Sequence, residues 1–419
     1  MLDLQDRLDE LKGLGLYRRL RMVSGPQGPR VVLDGKPVLL LCSDNHLGLA
    51  DHPKVREAAA DAAMRWGAGC GGSRLVSGNM TLHRRLEERL AAFTGTQSAL
   101  LFGSGYLANL GVVPALARRN EVIFSDELNH ASIVDGCRLA DAETFVYRHG
   151  DTEHLGWGLR QAEGRGALIV TEGVFGMDGD LAPLEEIVEL ARRHDVRVMV
   201  DEAHGIGAVG PGGRGAVADA GLEGEVDVIA GSLGNALGSY GAYVACDNVM
   251  ARFLINAAKP LAFSTGLPPA AVAAAMAALG LLVEQPRRVE RLQDNADMLR
   301  DELAREGFDV SGSESQIIPL IIGDPGLAGR ICESALEHGV FAQAVDPPGP
   351  AAATARLRLA VMASHSRPEL RDAARVLAQA ALRNGFRPSS SVPVAAAHTA
   401  PAPGAIFDGA AESRLPRAA

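Results

Sequence analysis

Apolar residues recur along this chain with two different periods. Between about residue 50 and residue 285, short apolar runs alternate with stretches whose apolar positions return every three or four residues. The runs are SALLFG, EVIFS, ETFVYR, ALIVTEG, VRVMVDEAH, VDVIAGS and YGAYVACD. The stretches between them include LHRRLEERLAAFTG and LEEIVELARRHD. An apolar run bounded by turn residues suits a strand buried on both faces, and the longer period suits a helix with one apolar face. Strand–helix alternation of this length predicts an α/β domain with a mostly parallel, seven-stranded sheet.

Other patterns flank this region. Leu2, Leu4, Leu8, Leu11 and Leu14 predict an amphipathic helix within the first ~25 residues. VVLDGKPVLLLC, with Asp34-Gly35 as its turn signal, predicts a short strand pair. Downstream, a charged helix (RRVERLQDNADMLRDELAREG) leads to QIIPLIIG, VFAQAV, RLRLAVM and a final helix, the texture of a smaller α+β domain. The expected division is 1–49 for the N-terminal helix and short strands, 50–288 for the large domain, 289–386 for the small one and 387–419 for a tail. The tail is rich in Pro, Ala and Ser and buries too little apolar surface to offset its ordering entropy.

Composition narrows the function. The 419 residues carry a formal charge of −10, which argues against a nucleic-acid or membrane-surface partner. The five cysteines are dispersed without a CxxC pair, as expected of a reduced cytoplasmic protein rather than a disulfide scaffold. The N-terminus lacks the apolar core of a signal peptide, and no apolar run approaches the ~20 residues that span a bilayer. Lysine is scarce: only Lys12, Lys36, Lys54 and Lys259.

The candidate chemistry sits where strands end. VMVDEAHGIG places Asp201, Glu202 and His204 at a strand terminus, where open α/β sheets bind ligands. A carboxylate there can hold a metal, a ribose hydroxyl or a protonated ring nitrogen. A helicase reading of DEAH fails because no GxxxxGK[ST] loop exists; the one Gly-Lys pair, Gly35-Lys36, is followed by Pro37. LLFGSGYLAN runs from a strand through Gly103, Ser104 and Gly105 into a helical pattern, the makings of a phosphate nest. NHAS adds His130, VFGMDGD adds a turn, and GSLGNALGSYG forms a second Gly/Ser loop around Asn235. Each string alone is weak. Their order is that of a pyridoxal phosphate (PLP) site, which needs phosphate donors, a ring-stacking partner and an acid beside the pyridine nitrogen.

Across roughly residues 40–385 the chain resembles the α-oxoamine synthases, fold-type I PLP enzymes of the aspartate aminotransferase-like fold. The resemblance rests on NHLGLADHP, GAGCGGSRLVSGNMTLHRRLEERLA, SDELNHAS, VTEGVFGMDGDLAPL, VDEAHGIGAVGPGGRG, AFSTGLPP and TARLRLAVMASH. It implies decarboxylative condensation of a small amino acid, alanine above all, with an acyl-CoA or acyl-carrier-protein thioester. By motif, His130 stacks on the cofactor ring, Asp201 faces its nitrogen and His204 bonds its phenolic oxygen. Ser104, Gly105, Tyr106 and Ser232 hold the phosphate, with Thr265 reaching it from a partner subunit. Arg358 clamps the amino-acid carboxylate, and Asn45 lines the same pocket. A homodimer with interface active sites is also implied.

The chain departs from the resemblance at a decisive place. Asn235 stands where the family's G-[ST]-x-[GS]-K-A-x-G motif has its Schiff-base lysine. An amide has no usable amine lone pair and cannot act as a general base. His46 stands in place of the usual Tyr, and Gly176 in place of the usual Ser. Three explanations are open: a replacement introduced to arrest the reaction, a natural non-catalytic subunit supporting a lysine-bearing partner, or a natural enzyme that uses the cofactor without this lysine.

Overall fold

The computed structural model describes residues 3–13, 17–345 and 355–387. Three short strands come first: β1 (Val23–Ser24), β2 (Arg30–Leu33) and β3 (Lys36–Leu40). Then come β4 (Ser98–Phe102), β5 (Val122–Asp126), β6 (Glu143–Tyr147), β7 (Gly166–Glu172), β8 (Arg197–Asp201), β9 (Val228–Ser232) and β10 (Ala242–Cys246). These seven form one sheet in the order β4-β10-β9-β8-β7-β5-β6, in which only β10 runs against its neighbours. Each of the seven apolar runs supplies one strand.

Both faces of the sheet are covered. Successive strand side chains point to opposite sides. Leu101, Phe124, Ile169, Val198, Val200 and Tyr243 therefore enter one core, with Leu86 and Leu90 of the helix Thr81–Thr94 and Ile187 and Val188 of the helix Leu184–His194. Leu100, Phe102, Ile123, Leu168, Val170 and Met199 enter the other, with Val112 and Val113 of Gly105–Leu116 and Ile133 of Ala131–Leu139. Burial on two faces is why these strands read as continuous apolar runs rather than as alternation.

The remaining strands are β11 (Ile317–Gly323), β12 (Val340–Phe341), β13 (Gln343–Val345) and β14 (Ala355–Ala360). β11, β14 and β13 form an antiparallel sheet, and β12 joins β1-β2-β3 through parallel pairing with β3. The helices Arg287–Arg305 and Arg367–Arg383 pack against each other in this smaller body. At the β2–β3 hairpin, Asp34 and Gly35 have φ of 49° and 84°, the two positive values that a two-residue hairpin turn requires.

The N-terminal helix spans Leu4–Gly13 and buries none of its residues. Leu4 is 77% exposed, and no apolar surface among the described residues receives that stripe. Leu2 and Leu14, and residues 388–419 of the expected tail, lie outside the described residues. No single described helix is long and apolar enough to cross a membrane.

Candidate active site

The C-terminal ends of β4, β5, β7, β8 and β9 share one edge of the sheet, and each delivers one motif there. β4 runs through Gly103 and Ser104 into the helix Gly105–Leu116. The Ser104 hydroxyl caps this helix by accepting the Leu107 N–H at 3.2 Å. A Cβ on Gly105 would meet no atom within 4 Å, so the helix start is an open cradle. Tyr106 is 41% exposed and its hydroxyl bonds Asp135, so its side chain is held on the surface.

Asp201 anchors a hydrogen-bonded chain. Its Oδ1 accepts the Ala203 N–H at 2.9 Å, and its Oδ2 accepts Asn109 Nδ2 at 2.7 Å. The same Asn109 amide donates to Ser132 Oγ at 2.9 Å, and Ser132 Oγ lies 2.7 Å from His130 Nδ1. Glu172, at the end of β7, holds His130 from its other side: Oε1 accepts the His130 backbone N–H at 2.7 Å and Oε2 accepts that of Gly176 at 3.1 Å. Burial first, and then the Asp201 charge, push the Glu172 carboxyl up to about 8, so it keeps its proton at neutral pH.

Of the DEAH string, Glu202 turns away. Its Oε1 accepts the Val217 N–H at 2.7 Å at the start of the short helix Ala216–Asp219, a structural role. His204 faces the site. Burial pushes its imidazole down to about 3, so the ring is neutral, and its Nδ1 has no partner. His46 is wholly enclosed, held down to about 4 by burial, with neither ring nitrogen bonded. The two rings lie 5.8 Å apart, inclined at 59°. A Cβ at Gly176 would lie 2.7 Å from His204 Nε2, so a side chain there would displace that ring.

Arg358 projects from β14 and is buried. Its Nε donates to the Gly176 carbonyl at 2.5 Å and its Nη2 to Asp44 Oδ1 at 3.0 Å. Burial disfavours the Asp44 carboxylate, but the Arg358 guanidinium bonded to it favours the charged form and holds that group below the usual carboxylate range. Asn45 beside it is buried; its Oδ1 accepts the Ala50 N–H at 3.2 Å and its Nδ2 is unpartnered.

Asn235 follows β9. Its Nδ2 donates to the Ala203 carbonyl at 2.9 Å, and its Oδ1 accepts Ser232 Oγ at 3.1 Å. Ser232 Oγ itself accepts the Gly234 N–H at 3.0 Å. Ala203 lies between Asp201 and His204, so the amide borders the site. All four lysines are exposed, and none takes Asn235's place in this chain. Thr265 is also exposed; it pairs with Ser73 and hydrogen-bonds none of the clustered residues.

The structure thus brings together His130, Asp201, His204, Arg358 and Asn235, with Ser104, Gly105 and Ser232 at the same sheet edge. Residue reasoning from sequence missed Asn109, Ser132, Glu172 and Asp44. Asp44, Ser132 and Glu172 lie inside or beside strings that carry the resemblance, and Asn109 ends LLFGSGYLAN, but no spacing rule distinguishes the four from ordinary polar positions.

A model of the aminotransferase class I and II family matches residues 36–377. The chain belongs to that family. It is 49% identical over 375 residues to 8-amino-7-oxononanoate synthase of Geobacter sulfurreducens, covering 89% of this chain and 96% of that protein. A solved lysine-to-alanine variant of serine palmitoyltransferase from S. paucimobilis, with bound PLP–myriocin aldimine, superposes with a TM-score of 0.86 at 32% identity, over 91% of this chain and 97% of that one. The 8-amino-7-oxononanoate synthase of Francisella tularensis superposes with a TM-score of 0.72 at 25% identity, over 83% and 98%. The fold is that of fold-type I PLP-dependent transferases, and PLP is the cofactor of this family. The residues present fit that group: an open cradle at Gly105, a strand-end carboxylate at Asp201 and an unpartnered, neutral His204 Nδ1.

Proposed function

We propose that this chain is an α-oxoamine synthase of the 8-amino-7-oxononanoate type, in which Asn235 in the lysine's place slows proton transfer. The reaction joins a small L-amino acid, alanine first, to an acyl-CoA or acyl-carrier-protein thioester with loss of carbon dioxide. PLP, when bound, supplies an electron sink for the amino acid's α-carbon. Asp201 keeps the pyridine nitrogen protonated, since an adjacent carboxylate favours the charged form. His130 stacks on the ring, held by Ser132 and Glu172. The helix start at Gly105 and the Ser232 hydroxyl receive the phosphate. Arg358 binds the amino-acid carboxylate, oriented by Asp44 and the Gly176 carbonyl. Thr265, exposed and apart from the cluster, suits a homodimer in which it serves the partner's phosphate.

One observation carries this reading: the bonded chain Asp201–Asn109–Ser132–His130 is intact while the adjacent position bears an amide. Purified protein with added PLP should show the cofactor's absorbance band, and L-alanine should shift it to a stable new band that glycine or L-serine produces less well. Absence of PLP binding by folded protein would sink the proposal. A second reading, a non-catalytic subunit paired with a lysine-bearing homologue, is favoured by the two hydrogen bonds that fit Asn235 into its loop. Co-purification with such a homologue tests it.

A further inference from the structure

We propose that the cleft lined by Arg287, Arg288 and Arg291 is a binding site for a phosphate-bearing anion of nucleotide size, apart from the cofactor pocket and independent of the reading given to it. The cleft encloses about 550 Å³, within the range of small-ligand sites. Leu47 and Gly48 line it, with the start of the helix Arg287–Arg305 and with Ser364 from the segment after β14. None of His130, Asp201, His204, Ser232 or Arg358 does. Three guanidinium groups and one carboxylate, that of Glu284, thus share a cleft in a chain whose formal charge is −10.

These arginines stand where helix physics disfavours them. Arg287 and Arg288 follow the N-cap Pro286, at the helix end that carries partial positive charge, and Arg291 lies one turn on, beside both. Glu290 of the same turn does not line the cleft. No described carboxylate pairs with any of the three; Arg288 Nε donates to the neutral Gln285 Oε1 at 2.8 Å. Farther along the helix, Arg300 and Arg305 do pair, with Asp297 and Glu302. Burial first, and then the Arg291 charge, disfavour the charged form of Arg288. A second helix start adds to this field. His52, the N-cap of the helix Pro53–Trp66, makes no side-chain cap bond, and its Nδ1 is enclosed without a partner. Burial first, and then the Arg288 and Lys54 charges, hold its imidazole below the ordinary value, so these cations stand close together. Ser364 Oγ is also enclosed and unpartnered, although buried polar atoms are nearly always bonded. Cations gathered at a cost to stability, with unpaired guanidinium forks and a spare hydroxyl, complement a phosphate group, which a helix start also favours.

The test uses the full-length chain with saturating PLP, whose absorbance reports cofactor occupancy separately. Pyrophosphate, ADP, CoA and adenosine are titrated by calorimetry. The expected result is one saturable equivalent per chain for the first three, weakening as salt rises, and none for adenosine. Replacing two exposed arginines together, Arg287→Gln with Arg291→Gln, should weaken binding of all three by about 10-fold or more. Without ligand this double variant should melt no lower than the unsubstituted chain, since like charges at a helix start are removed, so lost binding is not lost folding. Arg305→Gln, on the same helix but outside the cleft, should leave binding unchanged. CoA binding at least about 10-fold tighter than ADP assigns the site to the nucleotide end of a CoA thioester; equal affinities assign it to a free nucleotide. No saturable binding of pyrophosphate or ADP by folded protein, or binding unchanged in the double variant, overturns the proposal. If the chain takes up no PLP, the cofactor reading fails and the same titrations still decide this one.

Discussion

Replacing Asn235 with lysine separates stability from catalysis. The substitution removes the bond from Nδ2 to the Ala203 carbonyl and the bond that Oδ1 accepts from Ser232. At about 0.5–1.5 kcal/mol each, their loss costs about 1–3 kcal/mol of folding stability. A well-placed general base contributes about 10²- to 10⁴-fold to rate, equivalent to lowering the barrier by about 3–5 kcal/mol. Asn235→Lys should therefore melt a few degrees lower and turn over faster by at least about 100-fold. The assay is release of free CoA from pimeloyl-CoA with L-alanine, beside a thermal melt of both proteins. Opposite signs in the two measurements exclude a general improvement in folding as the cause. A folded, PLP-loaded Asn235→Lys protein that turns over no faster than the Asn235 chain would refute the assignment of this position.

Other predictions follow from the buried network. Glu172 rises from 4.5 to about 8, so between those pH values the native state holds a proton that the unfolded state lacks. Stability of the cofactor-free protein is then lost as pH rises through this window, by at most about 5 kcal/mol at 1.4 kcal/mol per unit. Glu172→Gln, neutral throughout, should flatten that slope in urea melts at pH 5 and pH 8; equal slopes would show that Glu172 does not carry it. Asn109→Leu removes both donors that tie Asp201 to Ser132 and should cost about 2–4 kcal/mol, with weaker PLP binding seen by absorbance titration. His149 lies between Asp126 Oδ1 at 2.9 Å and Asp180 Oδ2 at 2.7 Å. Burial opposes its charge, but these two carboxylates prevail and raise it to about 10. Its stabilisation is full below pH 6.5 and disappears as pH rises through about 10, so His149→Gln should cost about 3 kcal/mol at pH 7 and little at the alkaline end.

The sequence by itself determined the central sheet. Seven apolar runs became seven strands because burial on both faces demands uninterrupted apolar composition, which a local reading detects. It also placed Asp201, His204, His130 and Asn235 at strand ends, because each follows its apolar run directly. The Asp34-Gly35 turn was legible for the same local reason: few residues other than these tolerate positive φ. Only the tertiary structure decided which neighbours those residues meet. Asn109 reaches Asp201 across 92 positions, Glu172 reaches His130 across 42, and Arg358 reaches Asp44 across 314. Nor could spacing show that Glu202 turns to cap a helix while His204 faces His46. A hydrogen bond depends on distance and direction to a partner, and in this fold those partners arrive from separate strands. The sequence names the groups at the edge of the sheet; their protonation and pairing come from the packing around them.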